Sequence, residues 1–158
     1  MRLIALAALA LASLPAAPAL AGDSSGFDPA AIDQCLADSP GATCATAGMQ
    51  FCLDYVQKEH PDVASAEREL GCLDASHQAW EARLTQIYDA LLDRAAENSP
   101  ETQAAVREME RAWIAFRDAR CAMAARLSGD TAAEPSCLRD EVARHAALLQ
   151  AYVEATRE

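Results

Sequence analysis

Three stretches of the chain carry apolar residues at alternating steps of three and four. Leu70, Leu73, His77, Trp80, Leu84, Ile87 and Leu91 form one series. Val106, Met109, Trp113, Phe116, Arg120, Met123 and Leu127 form a second. Leu138, Val142, His145, Leu149 and Tyr152 form a third. This spacing repeats at the helical period and puts each series on one face of a helix. A strand-rich fold is excluded by the scarcity of Val, Ile, Thr and aromatics.

Local signals bound five helical stretches. Asp28 caps the first, with Pro29 at its first position, and it runs to about Asp38. Ser39-Pro40-Gly41 is a turn. The second runs over about 42–58, with Phe51 and Tyr55 on one side, and stops at His60-Pro61. The third covers about 65–96. Ser99 caps the fourth, Pro100 takes its first position, and Glu101 suits the positive end of its dipole. A loop at 128–136 precedes the fifth, at about 137–156. Short links between long helices predict antiparallel neighbours. The expected fold is all-α: an antiparallel three-helix bundle with an N-terminal helical hairpin packed on it. Trp80, Trp113 and Phe116 are its expected largest core residues.

Residues 1–21 read as a secretory signal peptide. Arg2 is basic, an apolar run follows, Pro15 and Pro18 break it, and Ala19-Leu20-Ala21 fits a cleavage site. The run is too short to span a bilayer, which takes ~20 residues. The expected mature unit is a single domain, 22–158, with its core at about 65–156. It is expected in the periplasm or secreted, with no stable membrane insertion. The full chain has 24 acids and 13 bases. Losing Arg2 would leave a net charge of −12. An acidic chain lacks the basic face that nucleic acid requires. Of its 158 residues 38 are alanine, so the 52% apolar content overstates the core.

Export gives the six cysteines a meaning. Cys35, Cys44, Cys52, Cys72, Cys121 and Cys137 contain no C-x-x-C pair, so zinc and thiol redox chemistry lack their spacing signal. Structural disulfides are expected. Cys44 and Cys52, placed in one helix, would stand about 12 Å apart by helical rise, too far to bridge. Hairpin geometry favours 35–44, 52–72 and 121–137, with Cys72 able to exchange partners at the same end of the bundle.

Three polar residues interrupt the stripes: His77, Arg120 and His145. Up-down-up topology puts them near one end. They form a register-fixing polar layer or stripe ends that open to solvent or, on a sharper reading, an anion or ligand site or a catalytic cluster; Arg120 would repel a metal cation. Arg117 and Asp118 have no opposite charge three or four positions away on their own helix, so each needs a partner on another element or in solvent. No catalytic signature occurs, and no enzyme activity, cofactor or metal is expected.

The run Trp113-Ile114-Ala115-Phe116-Arg117-Asp118-Ala119-Arg120-Cys121 resembles the signature of the lysozyme-inhibitor LprI-like N-terminal domain family. Ala112 precedes it, and Cys137 supplies the further cysteine of the pattern. Upstream, Cys72 and the run from Trp80 to Tyr88 are similar, with Leu84 and Tyr88 matching. The likeness covers about 65–153. Thr85 stands where the family has Asn, the Gly-Gly-Ser loop is reduced to Ser128-Gly129-Asp130, and Arg144 or His145 corresponds to an Arg of the last helix. The resemblance implies an exported helical domain that binds and inhibits lysozyme. Arg117 and Asp118, with Trp113 and Phe116 of the motif, form either a binding end near Cys121 or an inter-helix tie or cap for the nearby loop. Acidity would attract a basic protein such as lysozyme. The residues leave open a structural or envelope-interaction module without lysozyme activity.

Overall fold

A computed structural model of the chain describes residues 26–39 and 42–156. The expected leader and the Pro40-Gly41 turn lie outside them. Five α-helices and one 3-10 turn make up the described fold, with no strand among the described residues. They are α1 (Ala30–Asp38), the 3-10 turn (Ala42–Thr46), α2 (Met49–Glu59), α3 (Ser65–Asn98), α4 (Pro100–Ser128) and α5 (Ala133–Ala155).

The helix ends follow their local chemistry. Asp28 Oδ1 accepts from the Ala30 amide at 2.9 Å and so serves the start of α1. Ser99 Oγ accepts from Thr102 N at 3.1 Å, and Pro100 opens α4. Gly129 closes α4 in the left-handed region, at φ 66°. The next link is shorter than the sequence suggested. Asp130 Oδ1 accepts from Ala132 N at 2.9 Å, and α5 begins at Ala133 instead of Cys137.

The second stretch is also broken, where one continuous helix was expected. Gly48 adopts φ 81° between the 3-10 turn and α2. A Cβ there would come within 3.0 Å of the Phe27 ring. The break turns Met49, Cys52 and Val56 toward the core and leaves Phe51 and Tyr55 exposed. The N-terminal part is therefore not a simple two-helix hairpin. α1 leans on the 3-10 turn, that turn packs on α5, and α2 packs on α3. Trp80 Nε1 donates to Ala45 O at 3.3 Å and fixes the turn to the core.

The most extensive packing is between α3 and α5, and α4 lies against both. Leu73, Trp80, Leu84, Ile87 and Leu91 of α3 are buried, as are Val142, Leu149 and Val153 of α5. Each such side chain stabilises the fold by roughly 1.5–3 kcal/mol through apolar burial. Disulfides join Cys35 to Cys44, Cys52 to Cys72, and Cys121 to Cys137. Each closes a chain segment across a turn.

Two stripes depart from their expected course. Phe116 is 55% exposed, and Met123 and Leu127 are also exposed. Beyond Trp113 the inward positions of α4 are Arg117 and Cys121. A 3-4 alternation has a mean step of 3.5, but a straight helix turns every 3.6 residues, so the stripe drifts about 20° per heptad. The bond from Cys121 to Cys137 holds α4 in that rotated register. On α5 Val153 is buried in place of the exposed Tyr152.

Candidate functional site

The motif at 113–121 divides between two faces of α4. Trp113, Arg117 and Cys121, one turn apart, face the packed side. Phe116, Asp118 and Arg120 are exposed.

The inward residues join a chain of polar and aromatic contacts across three helices. His77 Nε2 stands 3.3 Å from Glu81 Oε1 on α3. Arg117 Nη1 donates to the same Glu81 oxygen at 2.9 Å. Its other guanidinium nitrogens contact Asp118 Oδ1 at 2.9 Å. The Arg117 guanidinium carbon lies 5.0 Å from the centroid of the Trp113 ring, within cation–π range. The other partner of Trp113 is His145, stacked at 3.9 Å with 6° between the rings. His145 Nε2 completes the chain by a 2.7 Å contact with Glu110 Oε2.

Arg117 thus ties α4 to α3, while Glu110 and Trp113 tie α4 to α5. His145 is buried, and its neighbours supply the polar and π contacts that burial requires. The His77 hydrogen bond, the largest influence, holds the Glu81 carboxyl below the usual carboxylate range; burial opposes it, and the Arg117 charge assists.

The three polar stripe residues do not converge. His77 and His145 are linked through Glu81, Arg117 and Trp113. Arg120 is exposed and pairs instead with Glu141 on α5. Arg144 reaches the same Glu141 oxygen at 2.9 Å. Glu81, Glu110 and Glu141, which complete these pairs, were not singled out in the sequence. Only Glu81 had a signal, in Arg117, whose lack of a same-helix partner at three or four positions called for a partner on another element or in solvent. The adjacent Asp118 also serves it, a one-residue pairing that helical spacing does not favour.

Elsewhere a groove of about 510 Å³ runs between α1, α3 and α5, with Trp80, Ile87 and Leu36 in its lining. Arg83 pairs across it with Asp33 at 2.9 Å. Among the described residues no group of three His, Cys, Asp or Glu side chains is placed to hold a metal ion. No described helix is long and apolar enough to cross a membrane.

The contacts above fall almost wholly within α3, α4 and α5. A family model described as lysozyme inhibitor LprI matches residues 61–157, well over half of the chain. The chain belongs to the lysozyme inhibitor LprI family. No curated protein and no solved structure matches it. The family region omits α1, the 3-10 turn and α2, which makes α3–α5 the shared unit. Within that unit Trp113, Arg117 and Cys121 have structural partners. Thr85 is exposed and donates to Glu81 O at 2.9 Å. Of the two candidates in the last helix, His145 is buried in the contact chain and Arg144 is exposed. An inhibitor family and three disulfides accord with a non-catalytic, extracytoplasmic protein.

Proposed function

We propose that the protein is exported to the periplasm or secreted and inhibits lysozyme by non-covalent contact, without chemistry of its own. The observation that carries this reading is the match of the family model to 61–157. In it, residues 1–21 are a cleaved leader, and α3–α5 act as an antiparallel three-helix bundle to which the disulfides staple the N-terminal part. The family motif then serves chiefly to hold the scaffold rigid, because Trp113 and Arg117 are occupied internally.

Charge supplies the means of recognition. Glu67, Asp74, Asp89 and Asp93 fall on the solvent side of α3, opposite its buried stripe, and all four are exposed. Arg68, Arg83 and Arg94, the helix's basic residues, are engaged with Gln57, Asp33 and Glu97. A cationic enzyme meets a long acidic face there, which raises the association rate and falls in effect with salt.

The test is lysis of a cell-wall suspension by lysozyme, followed by turbidity with the purified protein present. Inhibition at low salt that weakens as salt rises is expected. Neutralising the α3 face with Glu67→Gln, Asp74→Asn, Asp89→Asn and Asp93→Asn should weaken it further. Unimpeded lysis at micromolar protein and low salt refutes the proposal.

A further inference from the structure

The exposed side of α4 carries a second regular pattern. Ala105, Met109, Ala112, Phe116, Ala119 and Met123 recur at steps of 4-3-4-3-4. All are exposed except Met109, which is half-buried. This is a heptad seam, small residues alternating with large, along about five turns of one helix. Apart from Met109, which also packs against the core, no described element covers it.

We propose that this seam pairs with the same seam of a second copy, α4 against α4 in antiparallel fashion, to form a homodimer. Three observations select this occupant. The first is charge. α4 holds five arginines against four acids, so the acid excess of the chain lies entirely outside it. A cationic protein is drawn to the other faces and not to this one. Two copies can approach through α4 with their acidic faces apart.

The second is shape. A two-fold axis near residue 117 sets Phe116 opposite Ala119 of the second copy, and Met123 opposite Ala112. Phe116 and Met123 each then meet an alanine, and both helices contribute the same patch, as a closed two-fold contact demands.

The third is the pairing of the flanking charges. Glu108 and Arg126 are both exposed, and neither has an ion-pair partner among the described residues. They are separated by five helical turns, so they share one edge of the seam. The same two-fold axis brings Glu108 of each copy to Arg126 of the other. A parallel two-fold arrangement would leave Glu108 and Arg126 of the two copies on opposite sides of the contact, unpaired with one another.

Sedimentation equilibrium of the full chain across the micromolar range tests this. The mass should rise with concentration toward twice that of one chain. Phe116→Glu should raise the dissociation constant by about tenfold or more, since a charge would enter the centre of the contact. Circular dichroism of that variant should stay unchanged, because Phe116 is exposed. Glu108→Arg and Arg126→Glu should each weaken the dimer, and the two together should restore it. A chain that stays monomeric throughout overturns the proposal. So does a dimer indifferent to Phe116→Glu. Failure of the double reversal to recover what the single reversals lose overturns the antiparallel pairing.

Discussion

The pair His145 and Glu110 offers a quantitative test of how α4 is held to α5. The histidine side chain is 3% exposed and the glutamate 13%. Glu110→Leu leaves a buried imidazole without its acceptor, at a cost of about 2 kcal/mol. His145→Leu leaves a carboxylate mostly out of water without a donor and removes the ring stacked on Trp113, again costing about 2 kcal/mol or more. When both are replaced, no polar group is stranded. The double variant should therefore lose much less than the ~4 kcal/mol of simple addition. Urea denaturation followed by far-UV circular dichroism reads all four proteins on one scale, and Trp113 fluorescence reports the loss of the stack. A double variant whose loss equals the sum of the singles, within about 0.5 kcal/mol, refutes the coupling.

Other positions make further predictions. Gly48→Ala should destabilise the fold by about 1–2 kcal/mol, read as a lower midpoint in the same denaturation, because Gly48 has φ 81° and a Cβ there would crowd Phe27. Replacing Cys52 and Cys72 by serine opens a bridge of sequence separation 20 and should cost about 3 kcal/mol, with four unreactive cysteines remaining on thiol titration of the unfolded protein. Glu81 has a lowered carboxyl pKa, so the stability it contributes is present above the ordinary glutamate value and is lost as pH falls through the folded-state value. Melting temperatures of the wild type and Glu81→Gln should accordingly differ at neutral pH and converge in acid; a constant gap would contradict the assignment.

The helices were legible because their signals are local. Ser99, Pro100 and Gly129 do at the ends of α4 what their chemistry favours. The apolar members of the α3 stripe from Leu73 to Leu91 are buried as their spacing required. Rotation of α4 was not legible. The sequence offers two overlapping inward series after Trp113, one through Phe116 and Arg120, the other through Arg117 and Cys121. Apolarity favours the first, and the disulfide and the Glu81 contact enforce the second. A pattern counted residue by residue cannot weigh a partner on another helix. For the same reason it could not find Glu81 or Glu110, whose roles exist only once α3, α4 and α5 are side by side. The break at Gly48 was hidden because a single glycine within a helical pattern reads as tolerated. Only its position against Phe27 makes it a break.

The rotation of α4 also separates two demands on one helix. The inward series spends Trp113, Arg117 and Cys121 on holding the scaffold together. The outward series then keeps Phe116 and Met123 at the surface in one continuous apolar strip, the kind of exposed patch that marks an interaction site. Had α4 taken the register of its most apolar stripe, Phe116 would be core and Arg117 would be solvated, leaving Glu81 and Trp113 without the guanidinium between them. The family motif therefore has two parts of different kind. Substitutions at Trp113, Arg117 or Cys121 should lower stability whatever the partner, whereas substitutions at Phe116 should change association and leave folding intact. Measuring both properties on the same variants distinguishes a motif that is wholly structural, in which Phe116→Glu would lower stability as well, from one that divides its residues between scaffold and surface.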